Sequence, residues 1–516
     1  MPAFTSELKN NKVTITASNG QSTTSDSIEL LFDWLLSQQD KKWSSVCWDV
    51  DEFSAPLFKV MPVKLLRSLF HTGKAWVEDY YIFYNKTSLC VGERTGRKAI
   101  IYNLKQYFNG ATPPKNAQET LAMYRDMYKE LKGIGLDVGK LTSPVTMIEA
   151  HIYNLNLPTH KVIPFEVNQM AYKCSTKRWH EAIKIGHWDK TWDIDLTSAF
   201  PAAMADMIDC SPANGVWVDD KVQPKDAVIG FAQGTLRIEK DISPVVYIDK
   251  YGNQINHKGE APFIIAKPEL DIIREFGIGD MAIERGYWFV PNNEIYPARD
   301  FIQWLYTQRD KSAFLNYVAK SSMVGMYGKL LQLFKDDTAN PFFNPVWAST
   351  IESMVRAKDT RFIYSNHLED DVLHIATDGV LLDKEVDITT EKRFGEWRLN
   401  GVSPSLIMSS NLVFTGDKKP NRLLYEMALK MIGDNPQERL WTTSQTRRMT
   451  LGDYVINPAL GLGSEHEVVA SFGLKVIREQ HDRNFNRLPL NGAELLANRY
   501  DSKPWDATEL AEGDNV

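Results

Sequence analysis

Three short islands, set in a fixed order along 516 residues, constrain this chain more than any other feature. They are Trp192-Asp-Ile-Asp195-Leu-Thr-Ser198-Ala-Phe200-Pro201, Lys320-Ser-Ser-Met-Val324-Gly325-Met-Tyr327-Gly328-Lys329 and His374-Ile-Ala-Thr377-Asp378-Gly379-Val-Leu381. The first and third each place an aspartate beside a hydrophobic run, as expected where a strand end delivers a carboxylate to a site. The second is basic, aromatic and punctuated by glycine. A chain this long exceeds one core and implies two to four packed units. Its 43% hydrophobic content, with 14 Trp and 23 Phe, marks it as globular.

Together the islands resemble the motifs of family B DNA polymerases, most closely the compact protein-primed branch. The first is similar to D-x-x-S-L-Y-P, with Asp195 on the metal-binding aspartate, Ser198 on the serine and Phe200-Pro201 on Tyr-Pro. The second is similar to K-x-x-x-N-S-x-Y-G and matches at Lys320, Tyr327 and Gly328. The third is similar to D-T-D-S and matches at Thr377-Asp378. Val324-Gly325 stand where relatives have Asn-Ser, Ala376 replaces the first aspartate of the third motif, and Gly379 replaces its serine.

The resemblance implies an α/β chain with an α+β palm, built as a right-hand polymerase of palm, fingers and thumb. A degenerate exonuclease-like domain of ribonuclease H type precedes it. The expected parts are the exonuclease-like domain over 1–165, first palm segment over 166–297, fingers over 298–335, second palm segment over 336–415, and thumb with tail over 416–516. Two-metal phosphoryl transfer needs carboxylates for two Mg²⁺ ions and cations for the triphosphate. By resemblance Asp195 and Asp378 hold the ions (Mn²⁺ can substitute), with a backbone carbonyl of Leu196 or Ile194 in the shell. Lys320 and Arg309 meet the nucleotide phosphates, Tyr327 and Ser198 line its pocket, and Phe200 is the ring that excludes a 2′-hydroxyl. Tyr172, Lys173, Lys329, Arg447, Arg448, Lys475 and Arg478 are the expected nucleic-acid contacts. The implied partners are a DNA template, single-stranded or primed, nucleoside triphosphates and a priming or replication protein.

The N-terminal third departs from the family where an exonuclease needs its acids. No D-x-E precedes residue 40, Asn103 stands in place of an aspartate, and neither Tyr124 nor Tyr128 is followed by Asp four residues on. Because such an exonuclease also uses two metals, these losses predict a structural remnant without proofreading. Asp49, Asp51 and Glu52 are left as an acidic cluster, a solvated surface or a new metal site. Ser27–Leu36 has helical spacing, and Tyr80–Leu104 reads as a hairpin leading into a third strand.

The net charge of −7 runs against phosphate binding unless basic residues are confined to one groove. Cys47, Cys90, Cys174 and Cys210 lack ligand spacing and read as reduced, intracellular thiols. With no signal peptide and no apolar run of about 18 residues, a cytoplasmic protein off the membrane is expected. By family analogy it comes from a phage or mobile element. Two alternatives stay open: a primase or RNA polymerase that starts its own chains, and an inactive nucleic-acid-binding subunit.

Overall fold

A computed structural model describes residues 2–39, 44–108, 111–136, 141–175, 179–248, 254–334, 337–416, 421–457, 464–474, 484–485 and 487–507. The chain forms two compact units. The first comprises Met1–Asn154, Leu305–Gly325 and Thr443–Ala470; the second comprises Leu155–Trp304, Met326–Thr442 and Ser471–Val516. Among the described residues, no helix is long and apolar enough to cross a membrane.

In the first unit a five-stranded sheet runs in the order Ser44–Cys47, Lys98–Asn103, Ser88–Glu93, Tyr80–Asn85, Lys74–Val77. The first pair is parallel and the rest antiparallel. Alternation decides the faces: Ala75, Val77, Ile82, Leu89, Val91 and Ile101 point to one core, shared with Leu31, Phe32, Leu35 and Leu57 of two helices. One of those helices, Ile28–Ser37, begins as its sequence predicts, with the Ser27 side chain accepting from the Leu30 N–H. The expected hairpin and third strand also form.

Two large sheets build the second unit among the described residues. One runs Leu412–Thr415, Trp397–Ser409, Lys184–Leu196, Gly379–Leu382, Val372–Ala376, His180–Ala182, with Arg499–Lys503 also paired to Lys184–Leu196. The other runs Gly215–Asp219, Gly279–Pro291, Ile229–Ile238, His257–Ala266, Trp505–Asp506. Helix Pro345–Ser365 is buried along nearly its whole length, and Phe362, Ile363 and Tyr364 join a core with Trp192, Ile194, Ile375 and Val380. Asn344 caps it by accepting from the Trp347 N–H at 3.0 Å.

Tyr172 and Lys173 lie on helix Phe165–Cys174, whose Val167, Met170, Ala171 and Cys174 face inward. Helix Ala313–Lys329 stops before Leu333, which forms a bridge with Ala339. Beyond helix Asn421–Asp434, strands Leu440–Arg448 and Glu465–Gly473 pair with each other. Thr and Trp in Leu-Trp-Thr-Thr-Ser-Gln-Thr favour the pleat over the helix.

Candidate active site

Strand pairing brings the first and third islands together. Strand Lys184–Leu196 lies antiparallel to Gly379–Leu382, with Asp195 opposite Gly379 and Ile194 opposite Val380. Asp378 immediately precedes Gly379, so it lies in the hairpin turn beside the end of the strand that carries Asp195. The Leu196 N–H donates to the Asp378 carbonyl at 2.8 Å and ties the hairpin tip to the end of the long strand. Gly379 keeps that approach open, because a Cβ there would lie 3.3 Å from the Ile194 carbonyl oxygen.

Backbone strain concentrates on both sides of this pair. Ser198 has φ +56° and ends the strand by turning the chain into helix Ala199–Ala205. Thr377 has φ +65°, a poor conformation for a β-branched residue. Each is held by its surroundings. Thr197 donates to the Glu396 carbonyl at 3.0 Å and accepts from the Gly395 N–H at 2.9 Å. The Thr377 N–H donates to the Trp179 carbonyl at 2.7 Å, and its hydroxyl bonds His180 Nε2 at 2.8 Å. Left-handed backbone costs about 1–3 kcal/mol per residue and persists where neighbours over-determine it.

Two partners on strand Trp397–Ser409 engage the aspartates of the first island. Arg398 lies opposite Asp195 in the ladder, and its Nη2 donates to Asp195 Oδ2 at 2.7 Å. A bulge between Asp193 and Ile194 leaves Asn400 extra, and its amide donates to Asp193 Oδ2 at 2.6 Å. The Asp195 side chain keeps 33% exposure, so it remains open to a ligand.

A second cluster surrounds Phe200. Its ring packs on Tyr327, centroids 4.8 Å apart. The Tyr327 hydroxyl donates to Glu352 Oε1 at 2.5 Å, and Ser175 donates to Glu352 Oε2 at 3.2 Å. Burial pushes the Glu352 carboxyl above its ordinary range, against the pull of Arg356 and of these two hydroxyls. Behind it, Arg356 and Glu269 form a fully buried ion pair at 2.5 Å. Asp359, three residues on, is fully buried, and neither carboxylate oxygen has a hydrogen-bond partner. Burial and then the charge of Asp378 raise its carboxyl well above the usual range, against Arg356 and Lys358.

The donor set suits a hard, oxygen-seeking cation. Among the described residues, no group of three or more His, Cys, Asp or Glu converges on one point. Two carboxylates, one on a strand and one in the adjoining hairpin turn, leaving the rest of the shell to water and phosphate oxygens, is the ligand set Mg²⁺ accepts.

Against this geometry stand the solved structures. The chain aligns with phi29 DNA polymerase complexed with primer-template DNA at a TM-score of 0.61 and 12% identity, covering 92% of this chain and 99% of that one. It aligns with the same enzyme's ternary complex with primer-template DNA and incoming nucleotides at a TM-score of 0.59 and 13% identity, over 92% and 99%. This chain has the fold of phi29 DNA polymerase. No family model matches the sequence, and no curated protein does.

Within the fold shared with phi29 DNA polymerase, the expected residues divide into groups. Asp195, Leu196, Ser198, Phe200, Tyr327 and Asp378 belong to the second unit and to the contacts above. Lys320 is exposed on helix Ala313–Lys329, which also carries Tyr327 two turns on and ends at Lys329. Arg309 Nε donates to Asn316 at 2.9 Å, and its guanidinium lies 5.2 Å from the Tyr306 ring. Tyr172 and Lys173 are exposed on the last turn of helix Phe165–Cys174. Arg447 pairs with Asp453, and Arg448 with Asp49 at 2.8 Å and Glu52 at 3.3 Å. Lys475 and Arg478 lie outside the described residues.

Sequence reasoning missed Arg398, Glu352 and Asp359. Glu352, Arg356 and Asp359 fall at i, i+4 and i+7 of an otherwise mostly buried helix, and that charged stripe was the available signal. Arg398 sits in a polar strand and had none.

Proposed function

We propose that the chain is a template-directed DNA polymerase of family B type that extends a 3′-hydroxyl and lacks a proofreading exonuclease. The observation that carries this reading is the pairing of Asp195 with Gly379, which sets Asp195 beside Asp378 in a chain with the fold of phi29 DNA polymerase. In this reading the strand-rich part of the second unit is the palm, helices Arg299–Gln308 and Ala313–Lys329 are the fingers, and the chain beyond 416 is the thumb. Asp195 and Asp378 would hold two Mg²⁺ ions, which when bound polarise the phosphoryl group and neutralise developing charge.

The protein's own groups supply position and charge. Arg398 holds Asp195 in place and counters its charge while no metal ion is bound. Lys320 and Arg309 are the candidate cations for the triphosphate. Phe200, braced by Tyr327 and through it by Glu352, is the candidate wall against a 2′-hydroxyl. DNA and nucleotides are the partners of the solved relatives and are proposed here for this chain.

The absence of proofreading is supported by what has become of the acids in the first unit. Asp49 is buried and caps helix Val50–Lys59, accepting from the Asp51 N–H at 2.9 Å. Lys105 Nζ and Arg448 Nη1 each lie 2.8 Å from its Oδ2. Burial alone would push its carboxyl up, but the Lys105 hydrogen bond and the Arg448 and Lys105 charges outweigh that and hold it below the ordinary range. Two protein cations on one carboxylate already neutralise it without a metal ion. Asp51 is in turn hydrogen-bonded by the Tyr84 hydroxyl.

One extension assay tests the proposal. Purified protein is given single-stranded DNA, with or without an annealed primer, and dNTPs or NTPs. Template-dependent addition of dNTPs to the primer is expected. Products on unprimed template from NTPs would favour the primase alternative, and no product would favour the inactive subunit.

A further inference from the structure

The sheet of the first unit has a second face that the core does not use. Opposite the buried residues, Lys74 and Trp76 on one strand pair with Phe83 and Tyr81 on the next. Trp76 is 45% exposed and Phe83 42%, unusual for large rings on adjoining strands. The Trp76 and Tyr81 centroids are 5.6 Å apart. Tyr81 lies across Gly92, where an added Cβ would come within 2.3 Å of its ring, so glycine lets the ring rest on the sheet.

Cations border these rings. Lys74 Nζ is 5.4 Å from the Trp76 centroid and 5.6 Å from that of Tyr81, and the Arg94 guanidinium is 5.4 Å from Trp76. Lys98, opposite Gly92 in the ladder, adds a third. Asp79 lies 3.7 Å from Arg94, with both side chains largely exposed. The face is thus locally basic on a chain whose net charge is −7.

We infer that this face binds single-stranded nucleic acid, with bases stacked on Trp76, Tyr81 and Phe83 and phosphates met by Lys74, Arg94 and Lys98. Flat rings on an open sheet, edged by cations, match the alternating base and phosphate of an unpaired strand. An apolar peptide would gain nothing from the cations, and duplex DNA offers no free base faces to the rings. The inference is independent of the polymerase proposal, since the face contains no residue of the candidate active site.

The test uses the full chain in EDTA with a fluorescein-labelled dT oligonucleotide of about 20 nucleotides, read by anisotropy, and an iodo-dU version for photocrosslinking. Crosslinks to the peptide carrying Trp76–Phe83 are expected. Trp76→Ala and Phe83→Ala should each weaken binding about tenfold or more, and Lys74→Gln should flatten its salt dependence. The rings are exposed, so unchanged far-ultraviolet dichroism and melting are expected to show the variants folded. Extension of a primer on a template with a short overhang should be unaltered in these variants. Crosslinks only elsewhere, or binding unchanged in the Trp76→Ala, Phe83→Ala double variant, would overturn the inference.

Discussion

Asp359 gives a stability prediction whose sign follows directly from its surroundings. The carboxyl is fully buried on helix Pro345–Ser365, has no hydrogen-bond donor and senses the charge of Asp378. Its ordinary value is 3.8, and in the native chain it is raised well above that. Below pH 3.8 both folded and unfolded chains hold the proton, and the group contributes no pH dependence. Above it the unfolded chain releases the proton while the native chain keeps it. Native stability therefore falls as pH rises, by up to about 1.4 kcal/mol per unit, until the native carboxyl itself ionises. Asp359→Asn preserves the shape and removes the titration. The variant should match wild type near pH 4 and become progressively more stable than it as the pH rises toward 7. Melting curves in EDTA at half-unit steps from pH 4.5 to 8 would show the two diverging. Parallel curves across that range would refute the reasoning.

Other outcomes follow from individual contacts. Phe200→Ala should raise incorporation of NTPs relative to dNTPs in single-nucleotide primer extension, because the ring braced by Tyr327 is the candidate barrier to the 2′-hydroxyl. Tyr327→Phe removes the donor to buried Glu352 and should cost about 1–3 kcal/mol in denaturant unfolding. Gly325→Ala places a Cβ 2.8 Å from that of Val145 and should destabilise by about 1–3 kcal/mol. A labelled primer with a mismatched 3′ end, incubated with Mg²⁺ and no nucleotides, should keep its length. Shortening that Asp49→Ala abolishes would overturn the remnant-domain reading.

Much of the second unit's site was legible because covalent order and local pattern fixed it. Asp195 and Asp378 each end a hydrophobic run, and strands with those runs pair with the two acids adjacent. What escaped reading depends on contacts between distant segments. Arg398 reaches Asp195 only because its strand pairs on the far side of Lys184–Leu196, and nothing local marks that register. Likewise Gly325, read first as a departure at the nucleotide pocket, is required where its helix packs on Val145. Asp49 had two sequence readings, surface acid or metal ligand. It is instead buried, because Lys105 and Arg448, far away in sequence, neutralise it. Pattern shows which face is apolar; it does not show which cation will arrive from elsewhere in the chain.

The central claim is that Asp195 and Asp378 form one metal-binding pair while Asp193, bonded to Asn400, does not belong to it. Primer extension at a series of Mg²⁺ concentrations, alongside primer-template binding, tests this in Asp195→Asn, Asp378→Asn and Asp193→Asn. The account predicts that the first two lose nucleotide addition by orders of magnitude with DNA binding nearly intact, while the third stays close to wild type. Equal losses from Asp193 and Asp195, or extension that survives in Asp378→Asn, would contradict it.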